Sequence, residues 1–132
     1  WNYSPGNSND PRIGDRWNQE DLSVFSRDQQ DDPGDANSGG RALAGFVRPY
    51  ARRVQGEILS VKFARKTGTF ALEFIADTSI TAPTEIFVPA IQYPYGYLID
   101  APGTGLIPAD DPQVMLFEAG KDGRMKIVIR PK

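Results

Sequence analysis

The carboxylates are the residues of this chain best equipped for acid–base chemistry. The sequence carries 17 Asp and Glu against 15 Lys and Arg, with no His and no Cys. Neither a Ser-His-Asp triad nor a Cys-His dyad can therefore be built from this chain alone. A structural zinc site, which draws on Cys and His, is not expected either. Paired-carboxylate chemistry remains, as in cleavage of a glycosidic bond, where one group is the general acid and the other the nucleophile or base. The carboxylates do not pair in this way. Glu20 and Asp21 are adjacent, and adjacent residues cannot readily address one sugar from two sides. Glu57, Glu73 and Glu85 fall on strand-like segments whose alternation points them outward, and Glu118 falls at a strand end. Each reads as a surface carboxylate, so no catalytic residue is assigned in this chain.

Binding groups are more suggestive. Trp1, Tyr3 and Trp17 stand in a loop-like stretch rich in Asn, Asp and Ser. A sugar stacks its apolar face on such rings while amides and carboxylates fix its hydroxyls. The ordinary alternative is that these rings are packing anchors. Asp35-Ala36-Asn37-Ser38-Gly39-Gly40 loosely echoes a calcium loop, but Phe46 stands where a bidentate Glu belongs, so the stretch reads as a turn feeding a helix. Gly103-Thr104-Gly105 runs into Leu-Ile-Pro and makes no phosphate loop. Asn2-Tyr3-Ser4 is a glycosylation triplet of the kind that arises by chance. No metal and no cofactor are expected. A net charge of -2 and a pI near 5.1 give no general electrostatic grip on nucleic acid.

Positioning elements follow from the periodicity. Residues 1–40 hold eight acidic residues against three basic ones and little apolar pattern, so they need a surface to lie on. Leu43, Phe46, Val47 and Tyr50 recur at helical spacing, with Ser38 as the expected N-cap and Pro49 as the stop. Arg41, Arg48, Arg52 and Arg53 fall outside that stripe and read as a solvated face or as ion pairs with the acidic segment before them. From Glu57 the period becomes two. Leu59, Val61 and Phe63 are expected on one face, as are Phe70, Leu72 and Phe74, with a hairpin turn at Arg65–Gly68. Further strands are expected at Thr84–Val88, Tyr97–Ile99, Val114–Phe117 and Met125–Arg130, with a tight turn at Lys121–Gly123 joining the last two. Six short strands with frequent Gly and Pro turns predict a small antiparallel β-sandwich. No segment approaches the length of a transmembrane helix. The lack of Cys is compatible with a reducing, intracellular compartment.

Three stretches carry a resemblance. Trp1–Asn9 with Gly14–Ser23 and Ser26-Arg27-Asp28 resembles the end of the catalytic barrel in one group of family 5 glycoside hydrolases. That group comprises the endoglycoceramidases, glucosylceramidases and steryl β-glucosidases. Gly40–Leu43 through Val47–Arg52 is similar to the last barrel helix and the lead-in to the C-terminal domain. Ala82–Pro89 with Tyr93–Tyr97 is similar to the β-sandwich that closes these enzymes.

The resemblance implies a fold in two parts. Residues 1–53 would be the last strand, long loop and helix of a (β/α)8 TIM barrel, and residues 54–132 an antiparallel, Greek-key-like C-terminal β-sandwich. It implies a retaining hydrolase of glycolipids, β-glucosides of sterol or ceramide, whose two catalytic glutamates lie upstream of Trp1. Trp1 would form the floor under the sugar; Glu20 and Asp21 would reach sugar hydroxyls or a neighbouring loop, or else form an ion pair with Arg16 or Arg27. The partners implied are the rest of the barrel and the glycolipid, with peripheral membrane contact. The opening on Trp rather than Met fits an expectation of a segment of a longer polypeptide. The alternative is a non-catalytic β-sandwich module that binds carbohydrate or a membrane surface, with Tyr93, Tyr95 and Tyr97 as contacts.

Overall fold

The computed structural model describes residues 12, 24–26, 29–35 and 37–132. The chain divides into two compact units, Trp1–Phe46 and Val47–Lys132.

The first unit contains, among its described residues, one short helix, α1 (Leu43–Phe46). The helix expected from Ser38 onward is not built, for local reasons. Gly39 has φ 84° and Ala42 φ 51°, both left-handed, and a helix cannot run through such residues. Ser38 does not cap it either: its Oγ accepts the N–H groups of Asp31 (2.9 Å) and Asp32 (3.0 Å), closing a loop instead. The barrel end expected over 1–53 falls largely on residues 1–11, 13–23, 27–28 and 36, which lie outside the described residues.

The second unit is all β, in eight strands. These are β1 (Tyr50–Arg53), β2 (Gly56–Ala64), β3 (Thr69–Ala76), β4 (Thr84–Phe87), β5 (Tyr97–Asp100), β6 (Thr104–Ile107), β7 (Val114–Ala119) and β8 (Gly123–Pro131). One antiparallel sheet has the order β1-β4-β7-β6 and the other β2-β3-β8-β5. Their inner faces meet in one core. Phe70, Leu72, Phe74 and Ala76 of β3 and Met125, Ile127 and Ile129 of β8 come from one sheet. Ile86 and Val88 at β4 and Met115, Phe117 and Ala119 of β7 come from the other. On β3, β7 and β8 these buried residues alternate with more exposed ones, as a sheet buried on one face requires.

Two strands were not expected. Tyr50–Arg53, the tail of the apolar stripe read as helical, is a strand paired with β4, so the sandwich begins before residue 54. Thr104–Ile107 is an edge strand against β7, with Leu106 exposed. Its Gly105 and four-residue length leave no period to read. Nor is the Lys121–Gly123 turn a hairpin: β7 and β8 lie in different sheets. Among the eight strands of the second unit, the only hairpins are β2–β3 and β6–β7, and the other five connections cross between sheets. Neither sheet has three consecutive hairpin-linked strands, so what the structure supports of the expected fold is the two-sheet antiparallel β-sandwich.

The face expected for β2 is also corrected. A register shift between Ile58 and Ser60 puts Leu59 in a bulge. Ile58, Val61 and Phe63 are opposite Phe74, Leu72 and Phe70, and opposed residues share a face. A bulge reverses the alternation beyond it, which sequence alone cannot place.

Candidate functional site

Carboxylates on the outer faces of both sheets are held by cations. Cross-strand pairing sets Glu73 on β3 opposite Lys126 on β8. Its carboxylate meets Arg124 at 2.6 Å and Lys126 at 3.1 Å. On the other sheet, Glu85 of β4 meets Arg52 at 3.2 Å and also pairs with Arg53. The Arg52 guanidinium lies 5.2 Å from the centre of the Phe87 ring, which in turn sits 5.5 Å from that of Tyr50. The sequence reads these arginines as a solvated face or as partners of the acidic segment before them; β1 sets them against Glu85 of β4, a partner that reading does not name. Arg52, Arg53, Glu85, Asp110, Asp111 and Leu116 line part of an open groove of about 290 Å³ on that outer face.

The electrostatics decide what these groups can do. Arg124, then Lys126, holds the Glu73 carboxyl below the usual carboxylate range. Arg53, then Arg52, does the same to Glu85. Asp122 is also lowered, by the backbone N–H and then the hydroxyl of Thr78, both donating to its Oδ1 at 2.7 Å. A general acid for glycoside cleavage needs the opposite shift, so that it stays protonated near neutral pH. None of these three is suited to that role. Glu57 and Glu118 are exposed.

Trp1, Glu20 and Asp21 lie outside the described residues. Among the described residues no group of three His, Cys, Asp or Glu side chains could hold a metal ion. The stretch resembling a calcium loop is a set of turns: Asp32 Oδ1 accepts the Gly34 N–H and Asp35 Oδ1 that of Asn37, both at 2.8 Å. The three tyrosines split. Tyr93 is buried and donates its hydroxyl to the Gly68 carbonyl at 3.0 Å, with its ring edge-on to Tyr97. Tyr97 is half-buried, and Tyr95 is 89% exposed.

One organising residue escaped the sequence reading altogether. Gln55 is buried, and its side chain donates Nε2 to the Ile80 carbonyl and accepts the Ala119 N–H at Oε1, each at 2.8 Å. Its own N–H donates to Thr84 Oγ1 at 3.0 Å. A single Gln between two strands has no spacing that would disclose this.

Fold and ion-paired faces define the class: a two-sheet antiparallel β-sandwich domain. Residues 48–129 match the family model of the glycoside hydrolase family 5 C-terminal domain, and the chain belongs to that family. It is 36% identical over 106 residues to a glucosylceramidase of Rhizopus delemar, covering 70% of this chain and 15% of that protein. It is 27% identical over 129 residues to endoglycoceramidase I of Rhodococcus hoagii, covering 98% of this chain and 21% of that one. Among solved structures, sterylglucosidase 1 of Cryptococcus neoformans superposes with a TM-score of 0.78 at 25% identity, over 100% of this chain and 21% of that chain. Endo-glycoceramidase II from Rhodococcus sp. shares the fold at a TM-score of 0.57 and 21% identity, over 74% of this chain and 22% of that one. The chain thus spans about a fifth or less of the length of these relatives.

Proposed function

We propose that this chain is the C-terminal segment of a retaining β-glycosidase that hydrolyses glycolipids, β-glucosides of sterol or ceramide. The observation that carries the reading is the family 5 match over residues 48–129, joined to relatives named for glucosylceramide and glycoceramide hydrolysis. In this reading the residues before the sandwich finish a (β/α)8 barrel, and the sandwich stabilises that barrel. The two catalytic glutamates stand upstream of Trp1, consistent with the lowered carboxyls of Glu73, Glu85 and Asp122. Trp1 stacks on the glucose, and Glu20 and Asp21 reach its hydroxyls at the barrel mouth.

The test is the intact mass of the native protein under denaturing conditions, followed by assay on glucosylceramide and a steryl glucoside. A species much heavier than 14.6 kDa that releases glucose is expected. In that species Trp1→Ala should lower kcat/KM by roughly 10–100-fold, the worth of ~1.5–3 kcal/mol of aromatic burial. A native species of 14.6 kDa with no hydrolytic activity would overturn the reading.

A further inference from the structure

One end of the sandwich is basic although the chain as a whole is not. The β2–β3 turn brings Arg65 and Lys66 there, and the last strand brings Arg130 and Lys132. Contacts tie these segments together. The Gly68 carbonyl holds the Tyr93 hydroxyl at 3.0 Å, and the Lys132 N–H donates to the Gly96 carbonyl at 3.2 Å. A Cβ on Gly68 would stand 2.8 Å from Pro131, so the turn and the last strand are in close contact. All four cations are exposed, and none has an ion-pair partner among the described residues.

Tyr95 stands at the tip of the Tyr93–Gly96 turn, which the C-terminal strand contacts, with 89% of its surface exposed. The turn beneath it is closed by a hydrogen bond: Gly96 N–H donates to the Tyr93 carbonyl at 2.9 Å, and Gly96 takes φ 87°. Leu98 is exposed beside Arg130, its partner in the β5–β8 ladder. The acids nearby do not cancel the charge. Asp100 lies two residues farther along β5 from Leu98. Asp110 and Asp111 line the groove that holds Arg52 and Arg53, on the outer face of the other sheet.

An exposed Tyr at the same end as four exposed cations matches the chemistry of an anionic bilayer surface. Cations are drawn to the headgroup charge, and Tyr prefers the membrane–water interface, where one end is apolar and the other wet. With a net charge of -2 on the whole chain, attraction of this end alone would also orient the molecule. We infer that the end of the sandwich formed by the Arg65–Gly68 turn, the Tyr93–Gly96 turn and the C-terminal strand docks on anionic lipid bilayers. The inference deepens the glycolipid reading and rests on it for the presence of a membrane substrate.

The experiment is co-sedimentation of the native protein with vesicles of phosphatidylcholine, with and without phosphatidylserine. Binding is expected only to the phosphatidylserine vesicles and should weaken as salt is raised. Each cation removed should weaken it roughly fivefold, so Arg65→Gln with Lys66→Gln should cost about 25–30-fold. Tyr95→Ala should weaken binding at every salt concentration without changing the salt dependence. Circular dichroism melting of each variant confirms that it is folded, since all these positions are exposed. Equal binding to neutral vesicles, or no loss in the double variant, would overturn the inference. So would inorganic phosphate competing better than chloride at equal ionic strength, because that result describes a discrete anion site. The hydrolase reading is read out separately: a longer active species that does not bind vesicles through these residues sinks only the docking surface.

Discussion

At the scale of single residues, Gln55 carries more of the structure than any carboxylate. Its side chain satisfies a buried N–H on β7 and the Ile80 carbonyl, while its backbone bonds Thr84 and Asp77. The end of β7, the turn after β3 and the start of β4 are thereby fixed to the link between β1 and β2. Gln55→Leu keeps the volume and removes the bonds, leaving the Ala119 N–H buried and unpaired. An unmet buried group costs roughly 1–3 kcal/mol, so a loss of about 2–4 kcal/mol is expected for the two partners together. Urea denaturation should show a lower midpoint with an unchanged slope. Gln55→Glu separates the two bonds. It still accepts from Ala119, but as a carboxylate it faces the Ile80 carbonyl, which only a protonated group can satisfy. Its folded-state pKa is then raised, so its stability is full below the unfolded pKa and falls as pH rises through the folded one. A Glu variant that loses stability on acidification instead would contradict this geometry.

At the scale of elements, β3 and β8 were plain in the sequence because each alternates without interruption and packs in the middle of its sheet. What failed to show has a physical cause in each case. Gly39 and Ala42 take left-handed backbone, so the apolar stripe from Leu43 forms one helical turn and then a strand. The bulge at Leu59 reassigns the face of β2. Gly56, at φ 143°, is needed where β2 begins, because a Cβ there would stand 1.9 Å from the Ile75 carbonyl oxygen. For the candidate site, the outward carboxylates of β3 and β4 were legible from alternation, but their cation partners come from β8 and β1 and were not. Tyr93 shows how an element junction becomes pH-sensitive. Burial pushes its phenol up to about 12 from the ordinary 10.0. The folded state therefore holds its proton where the unfolded chain loses it. Stability from this group is full below pH 10 and falls as pH rises toward 12. Tyr93→Phe should lose about 1 kcal/mol at neutral pH with the hydrogen bond to Gly68, and should show a flatter alkaline limb than the parent in melts across pH 9–12.

At the scale of the whole molecule, the distribution of the core decides what can fold alone. Every residue of the buried apolar cluster lies between Phe70 and Ile129. The strands that cover it begin at Tyr50, and the compact unit begins at Val47. Among the described residues, none before Val47 belongs to that cluster. A fragment comprising Val47–Lys132 should accordingly be a complete domain rather than a broken one, since a domain needs its own core and few crossing contacts. It should melt in one cooperative transition, with a urea slope of roughly 1 kcal/mol/M, as expected of a small single domain. Gln55→Leu should cost the same in the fragment as in the full chain, because all its partners lie after Val47. A fragment that binds a hydrophobic dye, melts gradually and loses its near-ultraviolet circular dichroism would behave as a molten globule. The sandwich would then depend on residues before Val47 for its packing.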